Sequence, residues 1–393
     1  MSEASTLTPE QHGLKEHSHS FADVPVQTRS ERFSSVNHAD FPAVTGREAE
    51  WKLTPVDLVR PLIDDQLDGS PYQVEHPETS GVTVEWIDRT DARIGLAGAA
   101  EERAAANAWS SFEKSLAITV TSEEGATVTL KRSALGDTLR AAHTVITAKA
   151  NSTGTVVLLS TGDARLSENV EVVVEDGARL TVVSVQEWDD NALHLASHFA
   201  RIGRDGTLKH IVVSLGGKVV RVNPSAHLAE QGADGELFGV YFADAGQHLE
   251  QRVYVNHDAP NTRSRVNYKG ALNGEGARTV WVGDVLIGRD APGTDSYEQN
   301  RNLVLSDGTR ADSIPNLEIE TGDIAGAGHA SATGRFDDEH LFYLRARGIT
   351  EDEARRLVVL GFLSEIVQKI GEPTLEARLQ TALEAELARV GAE

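Results

Sequence analysis

A mainly β protein, with a parallel β-helix core between helical flanks, is the fold class the sequence predicts. Three observations carry it: short β-branched runs crowd residues 117 to 335, an acidic-glycine turn recurs between them, and both flanks switch to helical patterning. The gaps between the β runs leave no room for repeated crossover helices, which argues against a doubly wound sheet or a TIM barrel.

The first 50 or so residues are polar, with Ser, Asp, Glu and His dominant, and residues 5–10 could open one helical turn. The first twenty residues read as a mobile tail. Residues 90–115 are Ala-rich from Ala97 through Ala106, and alanine is the best helix former, so a helix is expected there, ending before the first strands. Next come the runs at 117–120, 156–159, 172–174, 180–185 and 211–213, all short and rich in Val, Ile and Leu.

The turn signal is Asp176-Gly177, echoed by Asp205-Gly206, Asp234-Gly235, Glu275-Gly276 and Asp307-Gly308. Glycines 177, 206 and 235 stand 29 apart, and 276 to 308 is 32. Such spacing suits a solenoid whose rungs bury their inward faces on one another. A β-sandwich or jelly roll with coincident turns is the alternative that spacing leaves open.

From residue 339 the pattern turns helical. Thr350-Glu351-Asp352-Glu353 forms a capping box, followed by an apolar stripe from Ala354 to Ile370 that is wider than one core-facing side needs. A second helix follows Pro373-Thr374 through Leu375, Leu379, Leu383 and Leu387. Two such helices either cap the open end of the solenoid or offer the broad stripe to a partner protein. The domain division expected is 1–116, 117–338 and 339–393.

Composition narrows the function. Lys plus Arg number 37 against 60 Asp plus Glu, a formal charge of −23, which argues against nucleic-acid or anionic-membrane binding. There is no cysteine, so thiolate catalysis and sulfur-held metal are excluded for this chain alone. The first 21 residues have no apolar core of a signal peptide, and no run approaches the roughly 18 apolar residues of a membrane span, so a cytoplasmic location is expected. No P-loop or GxSxG motif occurs, and nothing by itself specifies an enzyme.

Three histidine settings and one carboxylate pair are candidates for chemistry. His194 and His198 have i, i+4 spacing but sit in what reads as a short link between strands. His248 and His257 fit polar ladders on neighbouring rungs. His329 stands alone among small residues, Gly326-Ala327-Gly328-His329-Ala330-Ser331, which leaves it accessible to a metal or another chain, or else bonded in a tight final rung. Asp337 and Asp338 are the carboxylates that a β-helix carbohydrate-active enzyme would use, although aromatic content is only 5% and no export signal accompanies them. The same acidic run also suits the start of a helix.

The order of blocks then carries a resemblance. Arg29–Phe33, Gly46-Arg47-Glu48-Ala49-Glu50-Trp51-Lys52-Leu53-Thr54-Pro55, Gly239–Phe242, Ser264–Gly270, Asn300–Ser306, Pro315–Ile319, His329, Thr333-Gly334 and Leu341–Ile349 match, in order, the SufB/SufD family of the SUF iron–sulfur cluster assembly machinery. The chain resembles the SufD branch more closely than the SufB branch, from about residue 29 to 370. The resemblance implies a right-handed parallel β-helix and a non-catalytic scaffold. It also implies pairing with a SufB-type paralogue through the β-helices and docking of a SufC-type ABC ATPase on the C-terminal helical domain. The candidate docking residues are then Leu357, Val358, Gly361 and Phe362, and His329 is the candidate metal ligand at the partner interface. No cofactor is expected to stay on the isolated chain, only a transient iron–sulfur cluster or iron in the complex. Where the family often has a cysteine two residues before this histidine, the chain has Ala327. Besides the carbohydrate-active reading, a purely structural stabiliser of the SufB-type partner is a third alternative.

Overall fold

The computed structural model describes residues 32–133, 135–335 and 338–390; the expected N-terminal tail lies outside them. The first strand, β1 (Val82–Asp88), lies antiparallel on β2 (Lys114–Val120). From β2 onward the chain alternates between two parallel sheets. One continues with β4 (Gly136–Ala148), β6 (Ala164–Val174), β8 (Leu193–Ile202), β10 (Val219–Leu228), β12 (His248–His257), β14 (Arg278–Ile287) and β16 (Arg310–Ile319). The other takes β3 (Ala126–Arg132), β5 (Thr153–Gly162), β7 (Arg179–Trp188), β9 (Thr207–Ser214) and β11 (Asp234–Ala243). It ends with β13 (Arg263–Leu272), β15 (Thr294–Val304) and β17 (Ile324–Gly334). Each even–odd pair is one turn of a parallel β-solenoid, and the sandwich alternative is excluded because every ladder after β2 is parallel.

The strands repeat because their inward positions do. Val170, Val182, Val212, Val222, Leu237, Val253, Val266 and Val285 stack along one continuous lumen, where each rung covers the apolar face of the last. The turns repeat by a different rule from the one expected. The left-handed position two residues before β5, β7, β9, β11 and β13, and two before Asp295 of β15, which is the register partner of Arg263, is held by Asn151, Gly177, Asp205, Gly232, Asn261 and Gly293 in turn. Gly206 and Gly235 are therefore not equivalents of Gly177; Asp205 and Gly232 are. The alternation is steric as well as conformational: a Cβ on Gly177, Gly232 or Gly293 would lie 2.6, 2.1 or 2.4 Å from the side-chain oxygen of the Asx on the preceding rung. Gly276 and Gly308, in the expected series, belong to the turns on the opposite edge, before β14 and β16.

Among the described residues five α-helices flank the solenoid: α1 (Val56–Asp64), α2 (Arg103–Ser111), α3 (Asp338–Arg345), α4 (Glu351–Val367) and α5 (Pro373–Val390). α1 and α2 lie on the outer face of the even-numbered sheet, where Val59, Leu62, Ala104 and Ala108 pack on Ala141, Leu195 and Val219. The expected helix at Ala97–Ala106 starts only at Arg103. Gly95 and Gly98 adopt positive φ (85° and 152°), and the Glu171 carboxylate takes the amides of Gly95 and Ala97 at 2.8 and 3.2 Å, which holds the segment non-helical. β structure also begins earlier than expected, at Val82 rather than residue 117, and α1 was not anticipated.

α4 and α5 do not cap the open end. They lie along the odd-numbered sheet, where Val359, Leu363, Ile366, Leu379 and Leu383 pack on Val157, Val183, Val213, Val240 and Phe242. That outer face is apolar only in the C-terminal half of each strand. The N-terminal half carries Thr155, Thr181, Thr207 and Lys209 and borders an open groove of about 380 Å³. Half of the expected capping box forms: the Thr350 hydroxyl accepts from the Glu353 amide, but the Glu353 carboxylate accepts from Arg356 at 2.8 Å. Among the described residues no helix is long and apolar enough to cross a membrane.

Candidate functional site at the open end of the solenoid

Two of the three histidine settings are buried. His194 and His198 are not in a link but on β8, both buried in the lumen. His194 Nε2 donates to Glu168 Oε1 (2.7 Å) and its Nδ1 accepts from the Trp188 indole (3.1 Å). Arg132 grips the same carboxylate at 2.6 and 2.9 Å. Burial works against the Glu168 charge, yet the Arg132 charge and the His194 and Arg132 hydrogen bonds hold its carboxyl well below the usual range. His198 Nδ1 meets His210 Nε2 at 2.8 Å, and burial pushes His198 down to about 4, so the pair is neutral.

His248 and His257 occupy the two ends of one strand, β12, rather than neighbouring rungs. His257 does stand in a polar ladder: its Nδ1 meets Thr262 Oγ1 at 2.7 Å and its Nε2 meets Ser264 Oγ at 2.9 Å. Those hydroxyls pair onward with Thr294 and Ser296. His248 Nε2 donates to Glu250 (3.1 Å) in a larger buried cluster that sequence reading missed. Arg221, 1% exposed, joins Glu250 at 3.2 Å and Glu102 at 2.6 Å and lies 4.1 Å from the centre of the Trp51 ring. Thr54 adds a 2.8 Å bond to Glu250. The Gly46–Pro55 block is thus the piece that pins the N-terminal segment to β10 and β12.

The docking residues divide. On α4, Leu357 and Gly361 are exposed, while Val358 and Phe362 are half-buried. Phe362 is anchored by Lys269, whose ammonium lies 4.6 Å from the ring centre, bonds to the Phe362 carbonyl at 3.3 Å and pairs with Glu365 at 2.5 Å. Phe342 and Tyr343 on α3 are exposed too, at 74% and 55%. Asp337 lies outside the described residues, and Asp338 opens α3.

His329 sits on β17, the last strand of its sheet, and is exposed. Its face is fixed by register. Asn302 pairs with Thr333 and Glu298 with His329, and the inward Asn302 side chain bonds to Thr333 Oγ1 at 3.4 Å. His329, four residues before Thr333, therefore shares the inward face. It bonds to no other described residue, and no three His, Cys, Asp or Glu side chains converge among the described residues into a preformed metal site.

Beneath it the lumen turns polar. Tyr241 Oη donates to Asn302 Oδ1 (2.7 Å) and accepts from Asn300 Nδ2 (2.8 Å), and Ser313 closes on Asn300. Glu298, 1% exposed, has neither carboxyl oxygen paired, and Gln251, Tyr268 and the Trp281 indole are likewise buried without partners for their polar tips. Burial first, and the Asp284 charge second, push the Glu298 carboxyl up to about 8, against the pull of the Asn316 backbone amide. The signal in the sequence was the run Thr294–Asn302, in which every second, inward residue is polar.

The matches to known proteins agree with this architecture. Residues 130–362 match the model of the SUF system FeS cluster assembly, SufBD core domain. The chain belongs to the SufBD family. It is 47% identical to the iron–sulfur cluster assembly SufBD family protein Rv1462 of Mycobacterium tuberculosis, over 91% of this chain and 93% of that one. It is 46% identical to the SufBD family protein ML0594 of Mycobacterium leprae, over 90% and 93%. A second M. tuberculosis protein of that family name, Rv1461, is 32% identical over 53% of this chain and 24% of its own length. As a SufBD-family chain it serves iron–sulfur cluster assembly in the SUF system, and the match to the family model spans most of the solenoid and reaches into α4.

Proposed function

We propose that this SufBD-family chain is the SufD-type, non-catalytic scaffold of its assembly complex. It pairs end to end with a cysteine-bearing paralogue and offers His329 to iron or to the nascent cluster at the junction. The observation that carries this reading is the placement of His329: inward-facing, exposed and unbonded to any described residue, on the terminal strand of a chain that has no cysteine of its own. A soft ligand must come from elsewhere, and imidazole is an acceptable nitrogen donor to borderline Fe(II). Ala327 stands two residues before it, so the site relies on His329 and partner groups. The occurrence of two SufBD-family proteins in one mycobacterium supports a paralogue as that partner.

ATP-driven work belongs in this reading to a separate ABC-type subunit. Its docking surface is the exposed apolar ground of α3 and α4: Phe342, Tyr343 and Leu357, with Gly361 leaving room beside them. Val358 and Phe362 support that surface from below. Affinity purification of the tagged chain from its native cytoplasm should recover both a cysteine-bearing paralogue and a P-loop ATPase. His329→Ala should leave that recovery intact while cluster assembly by the complex falls. Recovery of the chain alone in gentle salt would sink the scaffold reading, and unchanged assembly by the variant would sink the role of His329.

A further inference from the structure

The buried carboxyl of Glu298 has no function in the fold that its surroundings explain. Among the described residues neither oxygen makes a well-formed hydrogen bond, the Asn316 backbone amide alone drawing on the carboxyl, although the side chain is almost wholly enclosed. The fold even leaves space for it: a Cβ on Gly283, opposite on β14, would lie 2.3 Å from Glu298 Oε2 and 2.4 Å from the Trp281 ring. Buried carboxyls are normally paired or bound to a cation, because desolvation without a partner is costly. Here no described basic side chain pairs with it, and its in-register neighbours are the apolar Val266 on β13 and His329 on β17.

We infer that Glu298 and His329 together form a binding site for one first-row divalent cation, Fe(II) by chemistry, at the open end of the lumen. The spacing suits it. The two residues are register partners on adjacent parallel strands and face the same way, so their chain atoms stand about 4.8 Å apart. Carboxylate oxygen and imidazole nitrogen each bind such ions at about 2.0–2.2 Å, which a pair of neighbouring side chains can span. An oxygen and a nitrogen donor select a borderline divalent ion over Ca(II) or Mg(II), which take oxygen donors. The ion enters from the exposed His329 side and keeps water, or accepts groups of the partner, in its remaining positions. Glu298 thereby supplies the anionic ligand that a chain without cysteine otherwise lacks.

This inference rests on the reading of His329 as an iron ligand and adds the second ligand from the same chain. The test is anaerobic titration of the purified full chain with Co(II) as a spectroscopic probe, and with Fe(II) by equilibrium dialysis. One equivalent should bind, and Glu298→Gln and His329→Ala should each weaken binding at least tenfold. Gln is nearly isosteric and uncharged, so the variant should fold; a thermal melt checks that. Co(II) binding by E298Q as tight as by the unaltered chain, or no stoichiometric binding by the unaltered chain, overturns the Glu298 assignment. If H329A abolishes cluster assembly in the complex under either of those outcomes, the scaffold reading stands and only this site is lost. If H329A leaves both assembly and Co(II) binding unchanged, both readings fail.

Discussion

Single residues in this molecule divide into those whose burial is compensated and those whose burial is not. Arg221 is compensated: Glu250, Glu102 and the Trp51 ring surround it. Arg221→Met would leave two carboxylates facing each other in a closed pocket. It should cost about 3–5 kcal/mol, read as a lower urea midpoint, with the N-terminal segment becoming protease-sensitive first. His257 makes a pH prediction. Burial depresses its folded pKa from 6.5 to about 4, so the unfolded chain binds the extra proton between those values. Stability is then fully present above pH 6.5 and is lost as pH falls toward 4, by roughly 3 kcal/mol from this group. His257→Gln, which keeps polar contact with Thr262 and Ser264, should flatten that loss; equal urea midpoint shifts between pH 7.5 and 4.5 in both proteins would refute it. Neither Arg221 nor Glu298 was legible as special in the sequence, since a buried and an exposed charge read alike until the register is known. The exposure of His329 was legible because small residues surround it.

At the scale of elements, the sequence shows the strands well and the turns poorly. β-branched runs mark β5, β6, β7 and β9 because both faces of those strands are covered, so apolar residues need not alternate, while β8, which lacks such a run, reads as a link. The turn rule escaped because it uses two residue types in alternation, Asx then Gly, and the eye aligns glycines with glycines. The rule itself can be tested by comparing two glycines with nearly the same φ. Gly232 (φ 76°) lies under the Asp205 side chain, whereas Gly276 (φ 74°) has nothing closer than 3.7 Å to its virtual Cβ. Both Gly→Ala changes carry the backbone strain of about 1–2 kcal/mol, and Gly232→Ala should cost about 1 kcal/mol more because Asp205 must move. A thermal melt of the two variants decides it, and equal melting temperatures would mean that stacking between rungs plays no part. The helix expected at Ala97–Ala106 shows the converse: propensity lost to a buried carboxylate that captures backbone amides.

The two ends of the whole molecule are finished differently, and that asymmetry has a consequence. At the first rungs β1 folds back antiparallel on β2, and Glu75 makes an isolated antiparallel bridge to Lys131 on the free side of β3, so the parallel stacking stops there in both sheets. At the last rungs β16 and β17 end their sheets with no strand beyond them, and β17 is built mostly of Gly, Ala, Ser and Thr. Among the described residues, α4 and α5 lie along the side of the solenoid and leave that end uncovered. β16 carries Pro315 and the charges of Arg310, Asp312 and Glu318, whereas β17 carries no Lys, no Pro and no ionisable side chain but His329, and such an open parallel edge is a template for another strand. The end therefore fits a partner with an edge of its own, and His329 is carried on the strand that would meet it. Ala330 and Ala332 are exposed and alternate with the inward His329, Ser331 and Thr333, so they can be changed without entering the lumen. The double change Ala330→Lys and Ala332→Lys should cut recovery of the paralogue roughly tenfold while leaving the melting temperature within about two degrees of the unaltered chain. Recovery of the ATPase, whose proposed surface lies on α3 and α4, should be unaffected. Undiminished recovery of the paralogue would move the junction away from this edge, and with it the place where His329 acts.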